Sequence, residues 1–517
     1  MVVEVYKYGG TSMGESSSYA RVALHGQGLL SKVDMPVIVV SAPALGKKDS
    51  ERVTELLQQS YNLTKEGKQI ESQRLQISRL FEYVAGEHFD RQDFNMALDQ
   101  AVQREKSSNT LALGEHYQAK SLANYLQEKR IPTNFVDARQ AIKIENEKIV
   151  SINQELFESN TLNIIGGFYG SNEFGDIEVL NRGGSDNTAD NLGAKLKASK
   201  VVFLKDVDGI KVSDPDIFKG TGITPRTLRE VSPETIREMS YGGARVLSAE
   251  AMRECRNSGI PQYVRHVDYP FSGGTRIGKV ENKSIYPISG IVTQPGFTIL
   301  NFPRINEINY LTDVLAVLSD NEISFDMLTT NNGSYSLTID SREPITAEVI
   351  NNIQSITSEL ERVENQALVS VVGEIDEPRP FKAGLLHNLR EFVNPVAIYG
   401  ALIWEPETYV FDVNKFGMHG ERGFGKKLTQ IFADRGASIT IASTTIDSIS
   451  LGTKKELPLE DIVYQIEEEL DVDSVIISTE GRRLFGPRRK ISNISLAVPE
   501  DKRHEVVKRL YNHYYKV

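Results

Sequence analysis

Two glycine pairs, each set beside a cation and a hydroxyl, are the first places in this sequence where chemistry could occur. Lys7-Tyr8-Gly9-Gly10-Thr11-Ser12 follows a predicted strand over 2–6 and precedes a predicted helix over 17–30. Two glycines let backbone come close to an anion, and a helix N-terminus beyond them favours negative charge. Lys7 offers a cation to a phosphate and Ser12 a hydroxyl, although an ordinary strand–helix turn with a surface lysine has the same composition. The second pair lies in Asn181-Arg182-Gly183-Gly184-Ser185-Asp186, between a predicted strand over 177–180 and a helix over 188–197. Arg182 can grip a carboxylate through two parallel hydrogen bonds. Asp186 either caps the helix or organises Lys7 or a Mg²⁺ ion.

Three further features are weaker alone. Asp206-Val207-Asp208-Gly209-Ile210, with Ser213-Asp214-Pro215-Asp216 after it, is turn chemistry behind the apolar run 201–204. Gly114-Glu115 opens a helix, where a lone glutamate usually complements the helix dipole. Gly420 to Lys427 nearly fits a phosphate-binding loop, but Lys427 replaces the required hydroxyl, so the match is rejected. Neither HExxH nor CxxC occurs, the eight histidines lack metal-ligand spacing, and no metal site is expected.

The elements that must position these residues alternate. Apolar runs at 37–40, 162–165 and 201–204 suit strands buried on both faces, with helical patterns at 17–30, 117–129, 188–197 and 233–258. This pattern predicts an α/β sandwich with a largely parallel sheet, carrying a helical excursion over about 50–110. Near 285 the order changes. Two stretches, about 290–375 and 383–517, each contain the order βαββαβ of a ferredoxin-like unit, with pieces at 383–403 and 491–512 of unsettled pairing. The expected division is therefore 1–285 and 286–517.

Bulk properties agree with a soluble, multidomain protein. The 517 residues exceed one ordinary core, 40% are hydrophobic and 25% charged, and the net charge is −11. Nucleic acid and anionic membrane are poor partners for that balance. The single cysteine, Cys255, excludes an intrachain disulfide, and no secretory or membrane-spanning run is evident, so a cytoplasmic location is expected.

Taken in order, the motifs resemble those of aspartokinases. Lys7 to Ser12 resembles their Lys-Phe-Gly-Gly-Thr-Ser signature, and Gly167-Phe168 with Arg182 to Asp186 their Gly-Phe…Arg-Gly-Gly-Ser-Asp segment. Asp206 to Gly209 with Asp214-Pro215, and Gly243 to Leu247, resemble two further family segments. The second half resembles the ACT domains that follow. The resemblance implies an amino-acid-kinase-like αβα sandwich with ferredoxin-like ACT regulatory domains. It also implies Mg·ATP-dependent phosphorylation of the L-aspartate side chain to 4-phospho-L-aspartate. Lys7 and Asp186 would be catalytic, and Glu115, Phe168, Arg182 and Ser185 would hold substrate. Lys7, Gly9, Gly10, Ser12, Lys205, Asp206, Ile210, Lys211, Asp216, Arg245 and Val246 would meet the nucleotide. Met418, Gly423, Phe424, Ile439, Ser443 and Thr444 would form an effector site for an amino acid such as lysine or threonine. Side-by-side pairing of ACT domains implies a homodimer or larger. Lys205 stands where Thr or Ser is usual, Asp216 where a cation is usual, and Ser248-Ala249 where His-Pro is usual. The segment 41–48 lacks the common Thr-Asn, leaving the source of that hydroxyl open. Two alternatives remain: a kinase of another small carboxylate, and a degenerate kinase that serves as an amino-acid sensor.

Overall fold

The computed structural model describes the chain except residues 47–51, 182, 245–246, 248, 281–287, 306, 332, 358, 376–388, 390–396, 400–408, 415–422, 440, 445–447, 455–457, 471, 473, 480–481, 486–490 and 516–517. It divides into two compact units. The first holds residues 1–211, 227–237 and 245–283, and the second 212–226, 238–244 and 284–517.

The first unit is built on an eight-stranded sheet. Its order is Glu230–Val231, Thr275–Ile277, Gln262–His266, Lys200–Lys205, Val3–Tyr8, Met35–Val40, Leu162–Gly166 and Thr133–Val136. The central strands are parallel, with Lys7 opposite Val39 on one side and Phe203 on the other. Val37, Ile38, Val39 and Val40 are each 0% exposed, which is why these runs are continuous rather than alternating. Full burial of each such side chain contributes about 1.5–3 kcal/mol. Helices Val53–Lys65, Glu71–Ala85, Arg91–Val102 and Leu113–Glu128 follow the second strand. A small sheet of Lys148–Ile152, Ile142–Glu145, Tyr169–Ser171 and Ile177–Val179 flanks the main one. The helix expected over 233–258 is broken. It stops at Tyr241, and a short 3₁₀ turn and the helix Arg253–Asn257 come later. Gly243 has φ +106°, and a Cβ there would lie 2.4 Å from the Thr293 carbonyl oxygen, so the helical pattern is interrupted by a close backbone crossing.

The second unit is an eleven-stranded sheet containing two βαββαβ repeats. One has strands Gly290–Pro303, Met327–Asn331, Ser334–Asp340 and Glu361–Ile375, and helices Tyr310–Asp320 and Ala347–Ile356. The other has strands Tyr409–Asn414, Ile441–Thr444, Ser448–Thr453 and Ser474–Thr479, and helices Phe424–Ala433 and Leu459–Leu470. Ala397–Tyr399 and Ile491–Pro499 extend the first repeat's outer edge. The repeats join edge to edge where Thr329 pairs with Ser443. The joint is reciprocal. The Thr444 hydroxyl accepts from Leu328 N (2.8 Å) and donates to the Leu328 carbonyl (3.2 Å). The Thr330 hydroxyl does the same with Ala442, at 2.7 and 3.1 Å. The side-by-side pairing of ACT domains is thus made within one chain. Among the described residues no helix is long and apolar enough to cross a membrane.

Candidate active site

The cleft lies where the first unit's central strands end. Ligands of open α/β sheets bind outside the carboxyl ends of strands, and three such ends are tied together here. Ser41 N donates to the Tyr8 carbonyl (3.3 Å), Gly167 N to that of Val40 (3.0 Å), and Ala44 N to that of Gly10 (3.0 Å). A Cβ on Gly167 would fall 2.8 Å from Ser185 Cα, so only glycine lets the two distant turns touch. Phe168 takes a left-handed φ of +75°, unusual for a non-glycine residue. It is held there by its N–H to Thr188 Oγ1 (2.9 Å) and by Leu180 N to its carbonyl (2.8 Å). The open cleft has a volume of ≈ 260 Å³ and brings together Lys7, Gly10, Glu115, Phe168, Ser185 and Asp186.

Lys7 and Asp186 on its floor form an ion triad with Lys205. Lys7 Nζ is 2.5 Å from Asp186 Oδ1, and Lys205 Nζ is 3.4 Å from Asp186 Oδ2. Asp186 lies in the first turn of the helix Gly184–Lys195, but its carboxylate is spent on the lysines; the N-cap is Gly183, at φ +84°. Burial alone would raise the Asp186 pKa, but Lys205 and Lys7 together hold it below the usual carboxylate range. Burial lowers Lys205 from its ordinary value, against the pull of Asp186. Ser12 is buried and its hydroxyl points at the Leu204 carbonyl (3.4 Å), which sets the first glycine turn over the end of the Lys205 strand.

Glu115 is the second electrostatic feature. It is 4% exposed, and its Oε2 has no hydrogen-bond partner among the described residues. Burial pushes its carboxyl up to about 7, opposed by backbone amides of Ala42 and Glu115 and by the charge of Lys7. An unpaired buried carboxyl facing a cleft suits a ligand that carries a cation.

Other expected residues lie elsewhere. Ile210 is fully buried, its N–H given to Thr275 Oγ1 (2.8 Å). Lys211 pairs with Asp208 (2.8 Å), and Asp206 is exposed. Asp216 belongs to the second unit, where it pairs with Lys219 (2.9 Å). Arg182, Arg245, Val246 and Met418 lie outside the described residues.

Sequence reasoning missed Arg52, Thr54 and Glu55, which also line the cleft. The chain leaves the sheet after Ala44 and returns through an antiparallel bridge from Ala44 to Arg52, with Val53 N on the Pro43 carbonyl (3.1 Å). Thr54 thereby reaches the cleft wall. The only sequence signal is a short Arg-Val-Thr-Glu helix start.

In the second unit a small cavity of ≈ 30 Å³, opening to solvent, lies between the repeats. Leu315, Leu318, Ile323, Phe325, Gly423, Phe424, Gly425, Lys426, Thr444 and Ile449 are among its lining residues. Three of the expected effector residues therefore reach it. Ile439 sits in the apolar core, and Ser443 is buried with its hydroxyl unpartnered among the described residues.

Comparison with known proteins bears on this geometry. The sequence pattern of the amino acid kinase family matches residues 3–266. Aspartokinase from Bacillus sp. (strain MGA3) is 28% identical over 379 residues, which is 71% of this chain and 83% of that protein. The chloroplastic aspartokinase 1 of Arabidopsis thaliana is 30% identical over 224 residues, 41% of this chain; the match spans 38% of the plant protein's length. Among solved structures, the Clostridium acetobutylicum aspartate kinase superposes with a TM-score of 0.67 at 21% identity, covering 99% of this chain and 100% of that one. Escherichia coli aspartokinase III, solved with aspartate and ADP, gives 0.60 at 19%, covering all of both chains. The same enzyme solved with lysine and aspartate gives 0.62 at 19%, covering 99% and 100%. The fold is the αβα sandwich plus ACT architecture expected from the sequence.

Proposed function

We propose that this chain, which belongs to the amino acid kinase family, is an aspartate kinase: it moves the γ-phosphoryl group of ATP to the side-chain carboxylate of L-aspartate, giving 4-phospho-L-aspartate and ADP. The observation that carries this reading is one cleft holding both the Lys7–Asp186 pair, backed by Lys205, and the buried carboxyl of Glu115, whose Oε2 has no hydrogen-bond partner among the described residues. The floor suits a polyphosphate. Glu115 suits an α-ammonium, with Thr54 and Ser185 nearby on the cleft wall and Arg182 proposed for the α-carboxylate.

The chemistry needs no general base. A side-chain carboxylate ionises near pH 4, so one of its oxygens is already a nucleophile at neutral pH. That oxygen bonds to Pγ while the bond from Pγ to the β-phosphate oxygen breaks, leaving its electron pair on ADP; no proton moves. The difficulty is repulsion between two anions, which Lys7 and the glycine-turn amides offset. Both oxygens of Asp186 are held by lysines, so Mg²⁺ fits as an ion carried mainly by phosphate oxygens, whose charge it would neutralise.

We assign residues 1–285 to catalysis and 286–517 to regulation, with an amino acid such as lysine or threonine bound in the cavity between the repeats. The cytoplasm suits the lone buried thiol of Cys255. Because ACT-type edge pairing is intramolecular, a homodimer would need another surface, and light scattering decides it. Hydroxamate trapping of the acyl phosphate tests the activity, with aspartate and glutamate as acceptors and lysine or threonine added. Trapped product with aspartate alone is expected; product from glutamate alone, or from neither acid, overturns the assignment.

A further inference from the structure

Lys205 is an intrusion in this site. Here it ends the strand Lys200–Lys205, parallel to and paired with the strand carrying Lys7. The two ammonium groups hold different oxygens of a single carboxylate, at 2.5 Å from Lys7 and 3.4 Å from Lys205. Their side chains are 8% and 23% exposed. The triad sums to one positive charge in a largely dehydrated place. The other charged group acting on Lys205 is the exposed Asp206. Burying a surplus ammonium costs several kcal/mol unless a counter-charge arrives, and burial already pulls Lys205 below its ordinary pKa. The Ser12 hydroxyl on the Leu204 carbonyl puts the first glycine turn next to Lys205. A Cβ on Gly9 would be 3.8 Å from Lys7 Nζ and 3.9 Å from Ser12 Oγ, so these groups share one small volume.

We propose that Lys205 is a second catalytic cation of this kinase, fixed by Asp186 at a set spacing from Lys7 so that both ammoniums contact the triphosphate as its terminal phosphoryl group is transferred. The inference rests on the kinase reading above. Asp186 then acts as a positioning residue: it holds the two cations without touching the phosphate. Lys7 and Lys205 offset charge on the phosphoryl oxygens and on the departing ADP oxygen while the acceptor carboxylate oxygen bonds to Pγ.

The test measures binding and turnover separately. Inorganic tripolyphosphate, which has neither base nor sugar, is titrated calorimetrically into wild type, Lys205→Met, Lys205→Arg and Lys7→Met, with melting temperatures recorded for each. Lys205→Met should weaken tripolyphosphate at least ~10-fold and lower kcat at least ~10²-fold, as loss of a preorganised donor does. Its aspartate KM should stay within about 2-fold. Lys205→Arg keeps the charge but not the point-like geometry, so it should recover binding more than kcat. A folded Lys205→Met that binds tripolyphosphate and turns over like wild type overturns the proposal. So does Lys205→Arg losing binding as fully as Lys205→Met, because a charge role must survive that exchange. If Lys205→Met does not fold, the Arg variant decides alone. Wild type that binds tripolyphosphate through both lysines but never phosphorylates aspartate would sink the acceptor assignment and leave the cation pair standing.

Discussion

The cleft of the first unit and the cavity of the second are each assembled from residues far apart in sequence, yet they differ in how much buried charge they hold. The cleft buries charge: Lys7 and Asp186 on its floor, Lys205 paired with Asp186 behind them, and on its wall Glu115, whose Oε2 has no partner among the described residues. The cavity sets Leu315, Leu318, Ile323, Phe325, Phe424 and Ile449 beside Ser319, Ser324, Asp326, Lys426 and Thr444. Its ion pair, Lys426 to Asp320 at 2.7 Å, is 34% and 66% exposed, and exposed pairs contribute little. Buried charge without full compensation is tolerated where an incoming ligand completes it. A cavity with little buried charge instead distinguishes ligands by shape. Changes in the cleft should therefore alter rate and pH dependence, whereas changes in the cavity should act through packing.

The largest effect is expected from Lys7→Ala. Removing a preorganised donor at the transferring group should lower kcat by about 10²–10³-fold in an ADP-release assay. The fold should survive, because Asp186 keeps Lys205 as a partner. Turnover within a few fold of wild type would mean the buried triad is structural, and the contrast with the cavity would vanish.

Glu115→Gln comes next. Losing one charged partner of a substrate ammonium costs about 1.5–3 kcal/mol, so aspartate KM at pH 8 should rise roughly 10–100-fold. The sign with pH follows from burial, which lifts the carboxyl to about 7. Below that pH it is neutral and cannot pair with an ammonium, so wild-type KM should fall as pH climbs from 6 to 8, and the variant should show no such trend. Stability runs the other way. A carboxyl with a raised folded pKa favours the native state below the ordinary range near 4, and loses that contribution as pH rises through about 7. Wild type should therefore lose more melting temperature between pH 5 and 8 than the variant. Equal KM profiles in both proteins would remove Glu115 from the substrate.

What the sequence made legible follows from how local each signal is. Both glycine turns could be read because a paired glycine, a cation and a hydroxyl fall within six residues at a strand–helix junction. Their contact could not, since the Lys7–Asp186 pair that joins them depends on parallel strand order. Arg52 and Thr54 were invisible because a polar helix start has no signature, and a tertiary bridge from Ala44 brings them back. Both βαββαβ repeats were readable from short strands and helices in order. The joint between them was not: Thr330 and Thr444 act there through hydroxyls that any strand could carry. The helical periodicity over 233–258 misled because it carries no information about the backbone crossing at Gly243.

The smallest effect sharpens the contrast most. In Gly425→Ala the added Cβ would sit 2.8 Å from Phe325 Cζ and 3.4 Å from Leu315 Cδ1, so the ring, which lines the cavity, must shift. Overpacking of this kind costs about 1–3 kcal/mol, a drop of a few degrees in melting temperature without ligand. An amino acid held in the cavity at 100-fold its Kd should stabilise wild type by about 2.7 kcal/mol. Differential scanning fluorimetry with lysine, threonine and other amino acids should show that upward shift in wild type and in Lys7→Ala, and not in Gly425→Ala. The charge variant would then be blind to the cavity, and the packing variant blind to its ligand. A shift that persists in Gly425→Ala would place the effector away from the space between the repeats, because Gly425, Phe325 and Leu315 all line it.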